Sequence, residues 1–78
     1  MDLLRDKYLE IGITTRAGCE AVSFRASCEL GDSDFVKSHL EAYRMIVSEA
    51  TSLVGTESPL VQRLKGNLKE MEAELNGE

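Results

Sequence analysis

The side chains of this sequence that could carry nucleophilic, acid–base or metal chemistry are few, namely Cys19, Cys28 and His39. A structural zinc site usually draws on Cys and His residues in tightly spaced pairs. Here the two cysteines are nine positions apart and His39 follows eleven positions later, so no tightly spaced pair exists. We therefore expect neither a metal site nor a cofactor.

None of these three residues has the sequence context of a catalytic group. A cysteine nucleophile needs a lowered pKa, which a helix N-terminus or a neighbouring cation provides. Arg16 and Arg25 are near the thiols in sequence, but Cys19 would lie in the first turns of a helix only if one began at Thr15. His39 falls at the edge of an apolar helical arc, which favours half-buried packing over a role as general base. The sequence predicts no enzyme.

The two cysteines are not expected to form a disulfide with each other. Both fall in a segment that we predict to be helical, where nine residues place them about 13 Å apart along the axis and on opposite sides. A disulfide requires Cα atoms within about 7 Å of each other. Buried, reduced thiols are therefore predicted, and a disulfide between two chains is the alternative.

The charge of the chain limits its partners. Fourteen acidic residues against nine basic ones give a net charge of −5 and a pI near 4.8. Direct binding to nucleic acid or to an anionic membrane surface requires a basic surface, so we expect neither. No apolar stretch approaches the roughly 20 residues of a membrane span, and residues 1–6 lack a signal-peptide pattern. The expected location is the cytoplasm.

The elements that must position these residues are clearest in the second half of the chain. Apolar residues recur there at steps of four and three, which places them along one stripe of a helix. They are Val36, Leu40, Tyr43, Val47, Ala50 and Val54, followed by Val61, Leu64, Leu68, Met71 and Leu75. Phe35, His39, Ile46 and Leu53 widen the first run, so that helix is expected to contact two neighbours.

A break between the two runs predicts a helical hairpin. Gly55 ends the first helix, Ser58 is a suitable N-cap, and Pro59 suits the first helical position, where a missing N–H costs nothing. The predicted helices span about 33–54 and 58–76. The alternative is one long kinked helix that forms a coiled-coil dimer, since the apolar phase continues through the junction.

A first helix is predicted over about residues 2–30, with Asp2 as N-cap or first-turn acid and Gly31 as the C-terminal cap residue. Residues 12–15, Gly-Ile-Thr-Thr, are poor helix formers. Despite this weak propensity, we predict a continuous helix, with or without a kink. The alternatives are a break with a new cap, or a short strand over 9–15. Asp32 and the residues after it supply the cap of the second helix.

The first helix carries two apolar stripes on different sides, which predicts burial on both. One stripe consists of Leu4, Tyr8, Ile11, Gly18 and Val22. The other consists of Ile13, Ala17, Ala21, Phe24 and Cys28. A bundle of three helices has room for about one stripe per helix, so the chain has more apolar surface than it can bury alone.

This surplus predicts an all-α domain of three helices over residues 1–78 that binds another protein, with a homodimer expected. The second stripe of the first helix is the predicted contact, because its small residues permit close approach and Phe24 supplies an anchor. The alternative is that the third helix covers this stripe within the same chain. The function expected is that of a non-enzymatic adaptor, co-chaperone or inhibitor of a larger protein, which it contacts through apolar helix faces. The alternative is an acidic inhibitor whose carboxylates, including Glu70, Glu72 and Glu74, occupy a basic nucleic-acid-binding site on its target.

Overall fold

The computed structural model describes residues 3–76, which form three α-helices and contain no strand. The helices are α1 (Leu3–Leu30), α2 (Ser33–Val54) and α3 (Pro59–Leu75), packed as an elongated bundle of 45 × 18 × 13 Å. The all-α prediction is confirmed, and the helix boundaries agree closely with those predicted. The proposed cap Asp2 lies outside the described residues.

A link of two residues makes α1 and α2 antiparallel neighbours. Gly31 has a φ of 75°, a left-handed conformation that glycine adopts without strain, and its N–H donates to the Cys28 carbonyl at 3.2 Å. The N–H of Asp32 donates to the Ser27 carbonyl at 3.1 Å. The Asp32 carboxylate then accepts from the Phe35 N–H at 3.2 Å, which caps α2 as predicted.

The second link makes α2 and α3 a hairpin. Gly55 has a φ of 90°, and its N–H donates to the Thr51 carbonyl at 2.9 Å. The Ser58 hydroxyl accepts from the Leu60 N–H at 3.2 Å, and Pro59 begins the helix. The alternative of one long kinked helix is therefore wrong, because α2 ends at Gly55 and α3 begins at Pro59 with its own N-cap, Ser58.

Residues 12–15 continue α1 without interruption, so the break and the short strand are wrong. The Thr15 hydroxyl donates to the carbonyl of Ile11 at 2.8 Å, one turn earlier, which satisfies its polar group within the helix. Burial of Ile13 in the core supports the helical conformation despite weak local propensity.

The core lies where the three helices face each other. Its largest fully buried side chains are Phe24, Tyr43 and Val61, one from each helix. The other core members are Ile13, Ala17, Val36, Leu40, Ile46, Val47, Ala50, Leu60, Leu64 and Met71. The predicted stripes of α2 and α3 are thus largely buried, although Val54 and Leu75 at the helix ends are partly exposed.

Replacing Phe24 by Ala should unfold most of the protein. Removal of a fully buried aromatic side chain costs about 3–5 kcal/mol, which is comparable to the whole stability of a core this small. Urea denaturation followed by circular dichroism measures the free energy of unfolding. Val22→Ala is the matched control on the opposite side of α1, and it should change that free energy by less than about 0.5 kcal/mol. Equal effects of the two substitutions would contradict the assignment of the core.

Candidate functional site

The polar contacts between helices are ion pairs that fix how α1 lies on α2. Arg16 of α1 donates to both carboxylate oxygens of Glu49 of α2, at 3.0 and 3.1 Å. These hydrogen bonds and the attraction between the charges raise the pKa of Arg16 and hold the pKa of Glu49 below its ordinary value. Both side chains are about half exposed, so the pair sets register more than it adds stability.

His39 is part of a second contact between the same two helices. Its Nδ1 donates to the Glu20 carboxylate at 2.8 Å, and its ring stacks on Phe35 with ring centroids 6.2 Å apart. The side chains of His39 and Glu20 are 25% and 29% exposed. The prediction of a half-buried packing histidine is confirmed. The wider apolar arc of α2 is only partly covered, because Phe35 and Leu53 remain exposed.

The cysteines differ from each other in environment. Cys28 packs against the edge of the core, where burial and, to a lesser extent, the nearby Glu74 carboxylate raise its pKa. A raised pKa disfavours the reactive thiolate. Cys19 is exposed, so the prediction of two buried thiols is wrong for Cys19. Neither thiol is in a disulfide.

An open groove of about 630 Å³ lies between α1 and α2. Ala42 and Ile46 are among its apolar lining residues, and the Arg16–Glu49 pair lies along it. Met45, also in the lining, is one of the largest exposed apolar residues. Within residues 3–76, no three His, Cys, Asp or Glu side chains lie close enough to hold a metal ion together. The groove is therefore a largely apolar surface that another protein could contact, and its main polar feature is the Arg16–Glu49 ion pair.

The stripe that the sequence predicts as partner-binding is the internal packing face of α1. Ile13, Ala17 and Phe24 are buried, and Ala21 and Cys28 are partly buried against the same core. The small side chains do permit close helix approach, as predicted, but the approaching helices are α2 and α3 of the same chain. A free partner-binding surface therefore has to be sought elsewhere.

The other apolar stripe of α1 is uncovered. Leu4, Tyr8, Ile11 and Val22 are 61%, 66%, 59% and 70% exposed. With Thr15 and Gly18 between them, they form a row at steps of four and three on the side of α1 that faces away from α2 and α3. We refer to these six residues as the outer stripe. The prediction that α1 is buried on both sides is wrong within one chain, because two neighbouring helices cover only one side.

Other exposed apolar residues lie apart from the outer stripe. Leu30 and Phe35 flank the turn between α1 and α2, and Leu53 and Val54 lie at the far end of α2. Single exposed apolar side chains are normal on protein surfaces. The outer stripe differs from them because its members are aligned along some 27 Å of one helix, from Leu4 to Val22.

Comparisons of the chain with protein-family models, with curated proteins and with solved structures found no match. In the described part of the chain, no helix is both long enough and apolar enough to cross a membrane.

The Arg16–Glu49 pair predicts a pH-dependent contribution to stability. Because the folded state lowers the pKa of Glu49 below its ordinary value of 4.5, the contribution is present above that value and is lost as the pH falls through the folded value. Glu49→Gln should therefore lower the melting temperature slightly at neutral pH, and the difference from the unchanged protein should shrink to nothing in strong acid. Thermal unfolding followed by circular dichroism at a series of pH values measures this.

The control for this experiment is the partner residue. Arg16→Gln should remove the same pH-dependent increment, and the double variant should lose little more than either single variant, because one interaction is removed in all three. Fully additive losses would show that the two side chains do not act as a pair.

Proposed function

We propose that this protein is a non-enzymatic interaction module, of the adaptor, co-chaperone or inhibitor kind, that binds a partner helix through the outer stripe. The observation that supports the proposal is the row of four large apolar side chains left uncovered on α1. An aligned apolar surface of this kind marks a binding site more often than scattered exposed residues do. Its heptad-like spacing suits a helix with a matching apolar face.

The groove beside the outer stripe supports the same proposal. Cys19 and Thr15 line it from α1, and Met45 lines it from α2, so a helix lying on the outer stripe could also contact α2. Methionine is unbranched and polarizable, and it adapts to differently shaped partners. The free thiols of Cys19 and Cys28 suit a reducing compartment, and the cytoplasm is the location we propose.

The acidic-inhibitor alternative has less support. Of the carboxylates on α3, Glu72 accepts from Arg44 at 2.8 Å and is thereby partly neutralised. Arg63, Lys65 and Lys69 are on the same helix, so α3 as a whole carries no net charge. A surface that mimics nucleic acid requires a field of one sign.

Site-specific photo-crosslinking in cells tests the proposal. A photoreactive amino acid at Ile11 lies in the middle of the outer stripe, and the same group at Glu10 is a matched control because it is exposed on a different side of α1. We expect a discrete cross-linked protein from position 11 and none from position 10. Mass spectrometry of the product identifies the bound chain.

Tyr8→Asp should abolish the cross-link from position 11. It removes a large contact side chain and places a charge in an apolar contact, which should weaken binding at least tenfold. Tyr8 is exposed, so circular dichroism should show an unchanged fold. The absence of any cross-link specific to position 11, or its persistence in the Tyr8→Asp variant, would contradict the proposed function.

A further inference from the structure

We infer that the partner of the outer stripe is a second copy of this chain, with the two α1 helices packed antiparallel. The inference rests on the proposed function and names the partner. It starts from the order of side-chain sizes along the outer stripe: Leu4 and Tyr8 are large, Gly18 has no side chain, and Val22 is of medium size. A surface whose large half complements its small half can bind itself across a two-fold axis.

A single two-fold axis pairs every residue of the outer stripe with another residue of the outer stripe on the second copy. With the axis at the level of residue 13, Tyr8 lies opposite Gly18 of the second copy and Leu4 lies opposite Val22 of the second copy. The same axis pairs Ile11 with Thr15 of the second copy. The space over Gly18 is open, because a Cβ atom built there meets no atom within 4 Å. The Thr15 hydroxyl already donates to the Ile11 carbonyl, so burying it leaves no unpaired donor.

Size disfavours the parallel arrangement. Parallel pairing would place Tyr8 against Tyr8 of the second copy and Gly18 against Gly18 of the second copy. The largest side chains would then meet each other, and the open space over the two glycines would stay unfilled.

The lengths of the helices favour the same pairing. α1 has 28 residues and α2 has 22, so the first turns of α1 extend about 9 Å beyond the antiparallel α2. Residues 4–8 in this extension are all exposed. A helical segment that extends beyond its neighbours gains stability when it packs on another helix. In the antiparallel dimer, this extension packs on the middle of α1 of the second copy.

The area of contact indicates a weak dimer. From their exposed fractions, the four apolar side chains of the outer stripe present roughly 500 Å² per chain, so two chains can bury at most about 1,000 Å² of this surface, near the lower limit for a specific interface. We therefore expect a reversible equilibrium between monomer and dimer that depends on protein concentration, without a disulfide.

Sedimentation equilibrium of the purified chain with reductant, from roughly 1 µM to 1 mM, tests the inference. The unchanged chain should shift from monomer to dimer within this range. Gly18→Leu should weaken the dimer at least tenfold, because it fills the space that receives Tyr8. Gly66→Leu is the matched control: Gly66 is also exposed within a helix with open space around it, but it lies on α3. It should leave the dimer unchanged.

Exchanging the large and the small position tests the register. In the Tyr8→Ala/Gly18→Leu double variant, the large side chain of one copy again faces a small one of the other. The double variant should therefore dimerise more strongly than Gly18→Leu alone and approach the unchanged chain. Failure of this rescue would overturn the antiparallel register, and an unaffected Gly18→Leu dimer would overturn the use of the outer stripe. Circular dichroism of each variant verifies that it is folded.

A monomer at all concentrations would overturn the inference of a second copy. The proposed function would still stand if photo-crosslinking from position 11 identified a different protein. The proposed function would fail if no cross-link specific to position 11 formed, or if that cross-link persisted in the Tyr8→Asp variant, so the two failures are distinguishable.

Discussion

The structure depends on apolar packing along the line where three helices meet. Phe24, Tyr43 and Val61 are fully buried there, and each comes from a different helix. A chain of this length buries little surface, so its stability is concentrated in a small number of such contacts. The helix ends, the turns and the ion pairs position the helices around this packing and contribute less individually.

The same packing decides which surface of α1 is available. A helix between two neighbours can give them only one side, and α1 gives the side with Ile13, Ala17 and Phe24. Its opposite side keeps apolar residues that the chain does not cover. One side of α1 is thus buried and the other exposed because only two other helices are present to cover it. The uncovered side is the basis of the function that we propose.

Several polar side chains connect the helices to each other. Arg16–Glu49 and Glu20–His39 connect α1 to α2, and Arg44 connects α2 to Glu72 of α3. These contacts occur at the edges of the helix interfaces, where opposite charges select one register over a slipped one. Of the three residues that the sequence offers as candidates for catalysis, His39 is part of these contacts and Cys28 lies at the core edge, whereas Cys19 is exposed.

The helices and their ends could be predicted from the sequence alone. Apolar periodicity, the glycines at positions 31 and 55 and the Ser-Pro pair at 58–59 act through local geometry, so they can be interpreted without knowledge of the rest of the chain. Periodicity also identified both apolar stripes of α1. Periodicity could not decide which stripe is buried, because the helix forms equally well whichever stripe faces the core. That choice depends on how closely α2 and α3 can approach, and the small side chains of Ala17 and Ala21 favour the stripe around Phe24. The exposure of Cys19 and the pairing of His39 with Glu20 follow from the same choice, since they depend on the rotation of α1 within the bundle.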